Sequence, residues 1–166
     1  MSDTTLLVRR AGSEDWMALK AIRLEALRDT PDAYGSTLLA ALAFPQDRWR
    51  AMIEEQCYFL VERDGAVLGM AAGGFHDDHP GQHWLYAMYV TPAARGGHVA
   101  SCLVDAVVAW ARSDGALALH LDVTTSLPRA RAFYEKAGFR ETGVARRMYR
   151  DPTITLITMR RAVDNA

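Results

Sequence analysis

The feature that most constrains the fold is a change of hydrophobic period between residues 90 and 99. Three strand-like runs joined by turn signals precede this point, at residues 58–62, 67–75 and 84–90. After it, apolar side chains recur at helical spacing: Val99, Leu103, Ala106, Val107 and Trp110. A strand meander that runs into a long amphipathic helix predicts an α/β domain with a mixed sheet.

The flanking segments complete this pattern. Further strands are predicted at residues 5–10, 117–123, 139–144 and 154–159. Further helices are predicted after the N-cap residue Ser13, at residues 45–55, and between Pro128 and Gly138. Asp64-Gly65 predicts a hairpin turn and residues 76–81 a polar loop. We therefore expect one domain spanning residues 1–166, with a mixed sheet of six to seven strands flanked by about four helices.

Composition and charge narrow the class of partner. The chain has 166 residues and a formal net charge of −1, which gives no overall field for binding nucleic acid or an acidic membrane surface. No run reaches the roughly 20 apolar residues of a membrane helix, and residues 1–11 lack the apolar stretch of a signal peptide. We expect a cytoplasmic protein with neither nucleic acid nor membrane as a partner.

The junction between the third strand and the long helix is the best candidate for a ligand site. Residues 90–100 are rich in small side chains, with Gly96-Gly97 just before the helix. Unpaired N–H groups at a helix start, with the helix dipole, favour an anion such as phosphate. The alternative is that Gly96-Gly97 is only a turn. Neither G-x-x-x-x-G-K-[ST] nor G-x-G-x-x-G is matched, which disfavours a nucleoside triphosphatase and a dinucleotide dehydrogenase.

Three stretches resemble one known family. Residues 85–96, LYAMYVTPAARG, resemble the acetyl-CoA motif V-x-P-x-x-R-G-x-G-x-G/A of the GNAT superfamily of N-acetyltransferases. Residues 129–139, RARAFYEKAGF, resemble its second signature, A-x-x-x-Y-x-x-x-G-F, and residues 23–37 are similar to that region of many bacterial members. The resemblance covers essentially the whole chain, and the order of predicted elements matches the GNAT fold.

The resemblance implies a cofactor site and a catalytic residue. A loop would wrap the CoA pyrophosphate with backbone N–H groups, and it consists of Arg95, Gly96, Gly97, His98, Val99 and Ala100. Main-chain groups of Met88, Tyr89 and Val90 would pair with the pantetheine arm between splayed strands, and an N–H near Met88 would polarise the thioester carbonyl. Tyr134 stands where the family keeps a tyrosine that protonates the leaving thiolate. No metal is implied.

The implied activity is transfer of an acetyl group from acetyl-CoA, as cosubstrate, to a primary amine on a small molecule, a peptide or a protein N-terminus. An alkylamine must lose its proton before it attacks a thioester, so a base is needed, but no covalent acyl-enzyme is required. We expect direct transfer in a ternary complex. The alternatives are a degenerate GNAT domain that binds CoA for sensing or protein interaction without catalysis, and an interaction module that binds no nucleotide. Many relatives are dimers, so a homodimer is expected, with a monomer as the alternative.

Two residues depart from the family pattern. His98 stands at the usual middle glycine of the loop. Its side chain would crowd the pyrophosphate if the backbone needed a positive φ, and would point away or touch a phosphate if the backbone were helical. Leu127 stands where many members have an asparagine that contacts the cofactor arm, so it predicts weaker CoA binding or a looser thiol end.

Other polar side chains are candidates with a simpler structural explanation. Candidate bases are Glu25, Tyr86, His83, His120 and Asp122. His76-Asp77-Asp78-His79 looks like a metal cluster, although neighbouring loop carboxylates are usually solvated. Three arginines near the C-terminus could bind the adenosine 3′-phosphate of CoA or an acidic acceptor: Arg146, Arg147 and Arg150. The alternative is that they form a solvated face. Tyr34 and Phe44 fall in the region that lines the acceptor site in similar proteins, or else pack in the core.

Overall fold

The computed structural model describes residues 5–163, where a seven-stranded mixed sheet is flanked by five α-helices. The strands are β1 Leu7–Arg10, β2 Cys57–Arg63, β3 Ala66–His76, β4 His79–Val90, β5 Ala118–Thr124, β6 Arg140–Arg147 and β7 Thr155–Ala162. The helices are α1 Trp16–Asp29, α2 Leu38–Leu42, α3 Gln46–Glu55, α4 Val99–Ser113 and α5 Pro128–Lys136. The predicted α/β fold with a mixed sheet is confirmed. None of the described helices is long and apolar enough to span a membrane.

The strand order in the sheet is β1-β2-β3-β4-β5-β7-β6. Neighbouring strands are antiparallel except for β4 and β5, which run parallel and are connected through α4. Between β2 and β3, Asp64 and Gly65 have φ values of 51° and 79°. Positive φ at both central residues is what a tight type I′ hairpin turn requires, so the hairpin predicted there is confirmed.

Alternation along the strands divides the apolar side chains between two faces of the sheet, because residues two apart share a face. In β5, Leu119, Leu121 and Val123 belong to the core shared with α4 and α5. The α4 stripe meets them through fully buried side chains such as Leu103. On the other face, α1, α2 and α3 cover a second core around Trp49. Burial of each large apolar side chain stabilises the fold by about 1.5–3 kcal/mol.

Two segments differ from the expectations. No sequence pattern predicts α2, because a helix of five residues is too short to show a period. Its start is marked only by Thr37, whose hydroxyl accepts a hydrogen bond from the Ala40 N–H at 3.2 Å. The polar loop expected at residues 76–81 is wrong, since β3 continues to His76 and β4 begins at His79. The polar residues there belong to the solvent-exposed end of a hairpin.

Candidate active site

A bulge in β4 opens the sheet. The β3–β4 ladder pairs Met70 with Tyr89 and then Ala72 with Tyr86, so two residues of β4 face one residue of β3. Ala87, one of these two, has a φ of 56°. This left-handed conformation costs a non-glycine residue about 1–2 kcal/mol. A bulge of this kind bends its strand and turns the neighbouring side chains.

Beyond its first half, β4 separates from β5. Their pairing consists of His83 opposite Leu119 and Trp84 opposite His120. The space between the separating strands is part of a cleft of about 840 Å³, a volume in the range of small-molecule and cofactor sites. All six tyrosines of the chain line this cleft: Tyr34, Tyr58, Tyr86, Tyr89, Tyr134 and Tyr149. The strand divergence thus creates an aromatic-rich passage through the sheet.

The connection between β4 and α4 forms one end of the cleft. Of the residues singled out for the cofactor, the cleft is lined by Met88, Tyr89, Val90, Arg95, Gly96, Gly97 and Ala100. Gly96 has a φ of 81°, which glycine adopts without the cost that other residues bear. Helix α4 begins three residues later, at Val99. The N–H groups of its first turn and the positive end of its dipole make this end of the cleft suitable for an anion.

His98 and Val99 differ from the rest of the predicted loop because neither side chain lines the cleft. His98 has φ −94° and ψ −2°, a helical conformation open to any residue. The alternative in which a positive φ drives its imidazole onto the pyrophosphate is therefore wrong, and the side chain is exposed. The Val99 side chain is 2 % exposed and packs in the core under α4, so only its main chain can face a ligand.

The Arg95 side chain is held by the protein. Its Nε donates to the Val90 carbonyl at 3.0 Å, and its guanidinium forms an ion pair with Asp29 at the end of α1. The guanidinium also lies 5.6 Å from the centroid of the Tyr89 ring, and the Tyr89 hydroxyl donates to the same carboxylate at 3.3 Å. These contacts fix the connection to α1 and compensate the charge of Arg95, so the residue positions the loop backbone.

Tyr134 enters the cleft from α5. Its ring packs edge-on against Phe133 and Phe139, with centroids 5.3 and 5.8 Å apart. The side chain is buried, yet its hydroxyl makes no hydrogen bond to protein within residues 5–163. Burial raises the pKa of the phenol above its ordinary value of 10, because a desolvated phenolate is unfavourable. The cleft therefore contains a phenol that is protonated at neutral pH and free to donate.

The opposite end of the cleft is built around Tyr34. Its hydroxyl donates to the Met88 carbonyl at 2.8 Å, and burial raises its pKa to about 12. Arg150 donates from Nε and Nη2 to the Tyr34 carbonyl at 3.0 and 2.9 Å. The Arg23 guanidinium lies 5.5 Å from the Tyr34 ring centroid and donates to the Ser36 hydroxyl at 2.9 Å. Helix α1, β4 and the β6–β7 connection thus meet at this tyrosine.

Two of the five candidate bases, Asp122 and Tyr86, line the cleft. The Asp122 carboxylate accepts from Arg146 at 2.6 Å and from the Thr158 hydroxyl at 2.7 Å. Burial, together with the nearby charge of Asp122, raises the pKa of Tyr86 above its ordinary value. Tyr86 is thus a proton donor at neutral pH, and Asp122 is the one candidate carboxylate that the structure brings to the cleft.

The other three candidates lie outside the cleft lining: Glu25, His83 and His120. His83 Nε2 is 2.6 Å from Asp114 Oδ2, a contact that ties β4 to the end of α4. The His120 ring stacks on Trp84 with centroids 5.3 Å apart, and burial lowers its pKa. Glu25 is exposed on α1. The structural explanation therefore accounts for both histidines.

The histidine–aspartate hairpin at residues 76–79 is also structural. His76 Nδ1 accepts from the Asp78 N–H at 3.1 Å. The rings of His76 and His79 pack on Trp84, with centroids 5.3 and 5.5 Å from that of the indole. Within residues 5–163, no group of three or more His, Cys, Asp or Glu side chains is arranged to hold a metal ion.

Phe44 and Arg147 fall outside the cleft lining, whereas Leu127 belongs to it. Phe44 packs edge-on against Trp49, with centroids 5.6 Å apart, so core packing explains it. Arg147 donates to the Pro152 carbonyl at 3.0 Å and is otherwise exposed. Leu127 directly precedes α5, and it presents an apolar side chain where an asparagine would offer a polar contact.

The sequence model of the acetyltransferase (GNAT) family matches residues 19–139. The chain belongs to this family. The matched segment contains the β4–α4 connection, the bulge and Tyr134. The family consists of acetyltransferases, which transfer acetyl groups from acetyl-CoA.

Individual relatives agree with this assignment. Mycothiol acetyltransferase of Amycolatopsis mediterranei (strain U-32) is 32% identical over 99 residues, which are 56% of this chain and 33% of that protein. The matched part thus spans about a third of that relative.

Solved structures show the same fold at low identity. A GNAT acetyltransferase from Streptococcus pneumoniae has a TM-score of 0.80 at 19% identity, covering 96% of this chain and 100% of that one. An N-acetyltransferase from Staphylococcus aureus Mu50 has a TM-score of 0.79 at 22% identity, covering 97% and 100%. The Salmonella typhimurium protein yncA, solved with its cofactor acetyl-CoA, has a TM-score of 0.78 at 19% identity, covering 98% and 96%.

Sequence reasoning missed part of the cleft. Gln56, between α3 and β2, and Tyr58, in β2, line it, although nothing in the local pattern separates them from residues that only pack or face solvent. Asp29, the partner of Arg95, was missed for the same reason. Asp29 stands out only because α1 ends close to the connection between β4 and α4. This proximity exists in the folded chain and leaves no signal in the sequence.

Proposed function

We propose that the chain is an acetyl-CoA-dependent N-acetyltransferase that acetylates a primary amine by direct transfer in a ternary complex, within a single domain spanning residues 1–166. The observation that carries this proposal is the continuity of the cleft, which runs from the start of α4, past Tyr134, to Tyr34 on the other face of the sheet. A continuous passage lets a thioester and an amine meet without a covalent enzyme intermediate, because holding both reactants together supplies much of the acceleration.

The first half of the cleft suits the pyrophosphate and arm of CoA. The main chain from Arg95 to Ala100 would hold the pyrophosphate, with Gly96 supplying the turn and the first turn of α4 supplying donors. The pairing of β4 with β5 ends at Trp84, so the main chain from Met88 to Val90 lies beyond it, where the arm could pair with it. The carbonyls of Met88 and Val90 already accept from Tyr34 and Arg95. Leu127 would offer the arm an apolar contact in place of a polar one.

Tyr134 is the proposed general acid. Acetyl-CoA supplies an activated acetyl group as a thioester, and transfer to an amine forms a nitrogen–carbon bond and breaks the carbon–sulfur bond. The departing sulfur takes a proton from the Tyr134 hydroxyl. Burial keeps this hydroxyl protonated at neutral pH by raising its pKa, and within residues 5–163 it donates to no protein acceptor. The ammonium form of the amine first loses one proton to water in the open cleft. The neutral amine then loses a second proton as the amide forms, and this second proton restores Tyr134, so the reaction is balanced.

The experiment that tests this proposal is a calorimetric titration with acetyl-CoA, with adenosine diphosphate as control, followed by a thiol-release assay with an amine panel. We expect acetyl-CoA to bind and to stabilise the fold by about 2.7 kcal/mol at a hundredfold excess over its Kd. Absence of binding by correctly folded protein would contradict the proposal. Binding without turnover of any amine would favour a sensing or interaction role.

A further inference from the structure

The cleft has a second half whose ligand the family assignment does not specify. This half is lined by Arg23, Tyr34, Gln56, Tyr58, Tyr149 and Arg150. Tyr34 and Tyr58 belong to the core on the α1–α3 side of the sheet, whereas Tyr134 and α4 belong to the opposite side. If acetyl-CoA occupies the first half, as proposed above, the second half receives the amine.

Some arginines of the cleft form an ion pair with a carboxylate, and others do not. Five line it: Arg23, Arg95, Arg129, Arg146 and Arg150. Arg95 forms an ion pair with Asp29, and Arg146 forms one with Asp122 at 2.6 Å. Within residues 5–163, neither Arg23 nor Arg150 has a carboxylate oxygen within 4.0 Å. The second half of the cleft therefore contains two guanidinium groups that form no ion pair with a carboxylate of the described residues.

Arg23 and Arg150 donate instead to neutral oxygens. Arg23 uses Nη2 to reach the Ser36 hydroxyl. Arg150 uses Nε and Nη2 to reach the carbonyls of Pro31 and Tyr34, the former at 2.6 Å. Both residues are half-buried, and in the described chain neither Nη1 group has a hydrogen-bond partner. A guanidinium has five N–H donors, so each arginine is held in place with donors left for a ligand.

The carboxylate next to Arg150 in the chain and those paired with the other cleft arginines form no ion pair with Arg23 or Arg150. Asp151 follows Arg150, and its carboxylate accepts from the N–H and the hydroxyl of Thr153 at 3.1 and 2.6 Å. These two hydrogen bonds, and to a lesser extent the charge of Arg150, lower the pKa of Asp151, but its carboxylate forms no ion pair with Arg150. Asp29 and Asp122 are each paired with another arginine. A purely cationic acceptor, such as a polyamine or a lysine-rich peptide, would meet two guanidinium groups without ion-pair partners here, which disfavours its binding.

We propose that the acceptor is a primary amine that also carries an oxyanion, either a carboxylate or a phosphonate, and that Arg23 and Arg150 bind this anion. Charge-assisted hydrogen bonds from arginine to oxyanions are short and strong and are often bidentate. The anion is anchored beside Tyr34, whose hydroxyl bonds to Met88, and the amine end extends from there toward the opened edge of β4 and Tyr134. Arg23 and Arg150 are thus determinants of acceptor specificity.

The test is a thiol-release assay with acetyl-CoA and matched pairs of acceptors. Each pair consists of an ω-amino carboxylic acid and its neutral amide, over a series of chain lengths, and ω-amino phosphonates form a second arm. We expect kcat/KM for the best acid or phosphonate to exceed that of its neutral partner by at least about tenfold, as hydrogen bonds to a charged group predict. The arm with the higher kcat/KM identifies the oxyanion.

Variants then assign the effect to the two arginines. Arg23→Gln and Arg150→Gln should each lower the ratio of kcat/KM for the acid to kcat/KM for its amide by about tenfold or more, without weakening the binding of acetyl-CoA. The amide series also reports whether the site remains folded. The matched control is Arg147→Gln, on the same hairpin but outside the cleft lining, which should alter neither series.

The outcomes separate this proposal from the proposed function. If acetyl-CoA binds and amines are acetylated, but no acid or phosphonate is acetylated faster than its neutral partner, the acceptor proposal is overturned and the acetyltransferase assignment stands. If Arg23→Gln or Arg150→Gln weakens acetyl-CoA binding instead, these arginines serve the cofactor and the acceptor proposal is again overturned. Failure of acetyl-CoA to bind the unmodified protein refutes the proposed function itself.

Discussion

Replacing Tyr134 with phenylalanine should separate catalysis from folding. The ring packs against Phe133 and Phe139, whereas the hydroxyl has no hydrogen-bond partner in the described chain. Removing the oxygen therefore leaves the packing intact, and the free energy of unfolding should change by less than about 1 kcal/mol. Loss of a general acid should lower kcat by about 10²- to 10⁴-fold, which is about 2.7–5.4 kcal/mol in the barrier.

The assay combines three measurements on Tyr134→Phe and on the unmodified protein. Urea unfolding gives the stability, calorimetry gives the Kd for acetyl-CoA, and thiol release with a saturating amine gives kcat. We expect stability and Kd to be nearly unchanged while kcat falls. A kcat within about twofold of the unmodified value would refute the general-acid argument, because proton donation of this kind contributes far more.

The pH dependence supplies an independent check on the same residue. Burial raises the pKa of Tyr134 in the folded protein above 10, so the hydroxyl remains protonated at every pH below about 10. The linked stability is present below the unfolded-state pKa and is lost only as pH rises through the higher folded-state value. For an alkylamine, kcat/KM should therefore rise with pH to at least about pH 9.5 as the amine deprotonates. An alkaline decline that begins near pH 8 would contradict the raised pKa.

Three further predictions concern the cofactor loop and the core. Gly96 has a φ of 81° whereas Gly97 does not have a positive φ, so Gly96→Ala should destabilise the fold by about 1–2 kcal/mol and weaken acetyl-CoA binding. The matched control is Gly97→Ala, whose added Cβ would make an ordinary contact at 3.6 Å. It should lower the free energy of unfolding in urea by less than Gly96→Ala does, and equal losses for the two variants would contradict the argument from φ. His98→Gly should leave the Kd for acetyl-CoA within about threefold of the unmodified value, because the helical backbone at this position does not require glycine. A large gain in affinity by calorimetry would show that the imidazole interferes with binding. Leu103→Ala, at a fully buried position, should lose about 2–5 kcal/mol in urea unfolding. Leu39→Ala, 82% exposed, should change stability by less than about 0.5 kcal/mol, and similar losses for the two would refute the assigned core.

The order of the elements was predictable because hydrophobic period is a local property. The stripe through Val99, Leu103 and Val107 and the alternation in β5 reflect which face each residue buries, and neighbours in sequence suffice to detect this. Helix α2 was not predictable because its five residues contain little more than one turn. The polar hairpin at His76 was misjudged because exposed strand ends and loops have the same composition.

Part of the candidate site was likewise predictable from local sequence, and part was not. Short motifs located Gly96 and Tyr134, since a turn glycine before a helix and a tyrosine within the second signature of the family are visible in a few consecutive residues. The acceptor half could not be predicted. Arg150 contacts the carbonyl of Tyr34, which is 116 residues away in the chain, and no local pattern distinguishes an arginine held in this way from one on a solvated surface.

The sequence by itself determined the kinds of elements, their order, the glycine turn before α4 and the family resemblance, because each of these depends on short stretches of chain. Only the tertiary structure decided the bulge at Ala87, the pairing of Arg95 with Asp29 across 66 residues and, within residues 5–163, the absence of an ion-pair partner for Arg23. The physical reason is that strand pairing and charge compensation are properties of groups brought together by folding. Whether an arginine is paired with a carboxylate or left available to a ligand therefore depends on which distant segment of the chain packs against it.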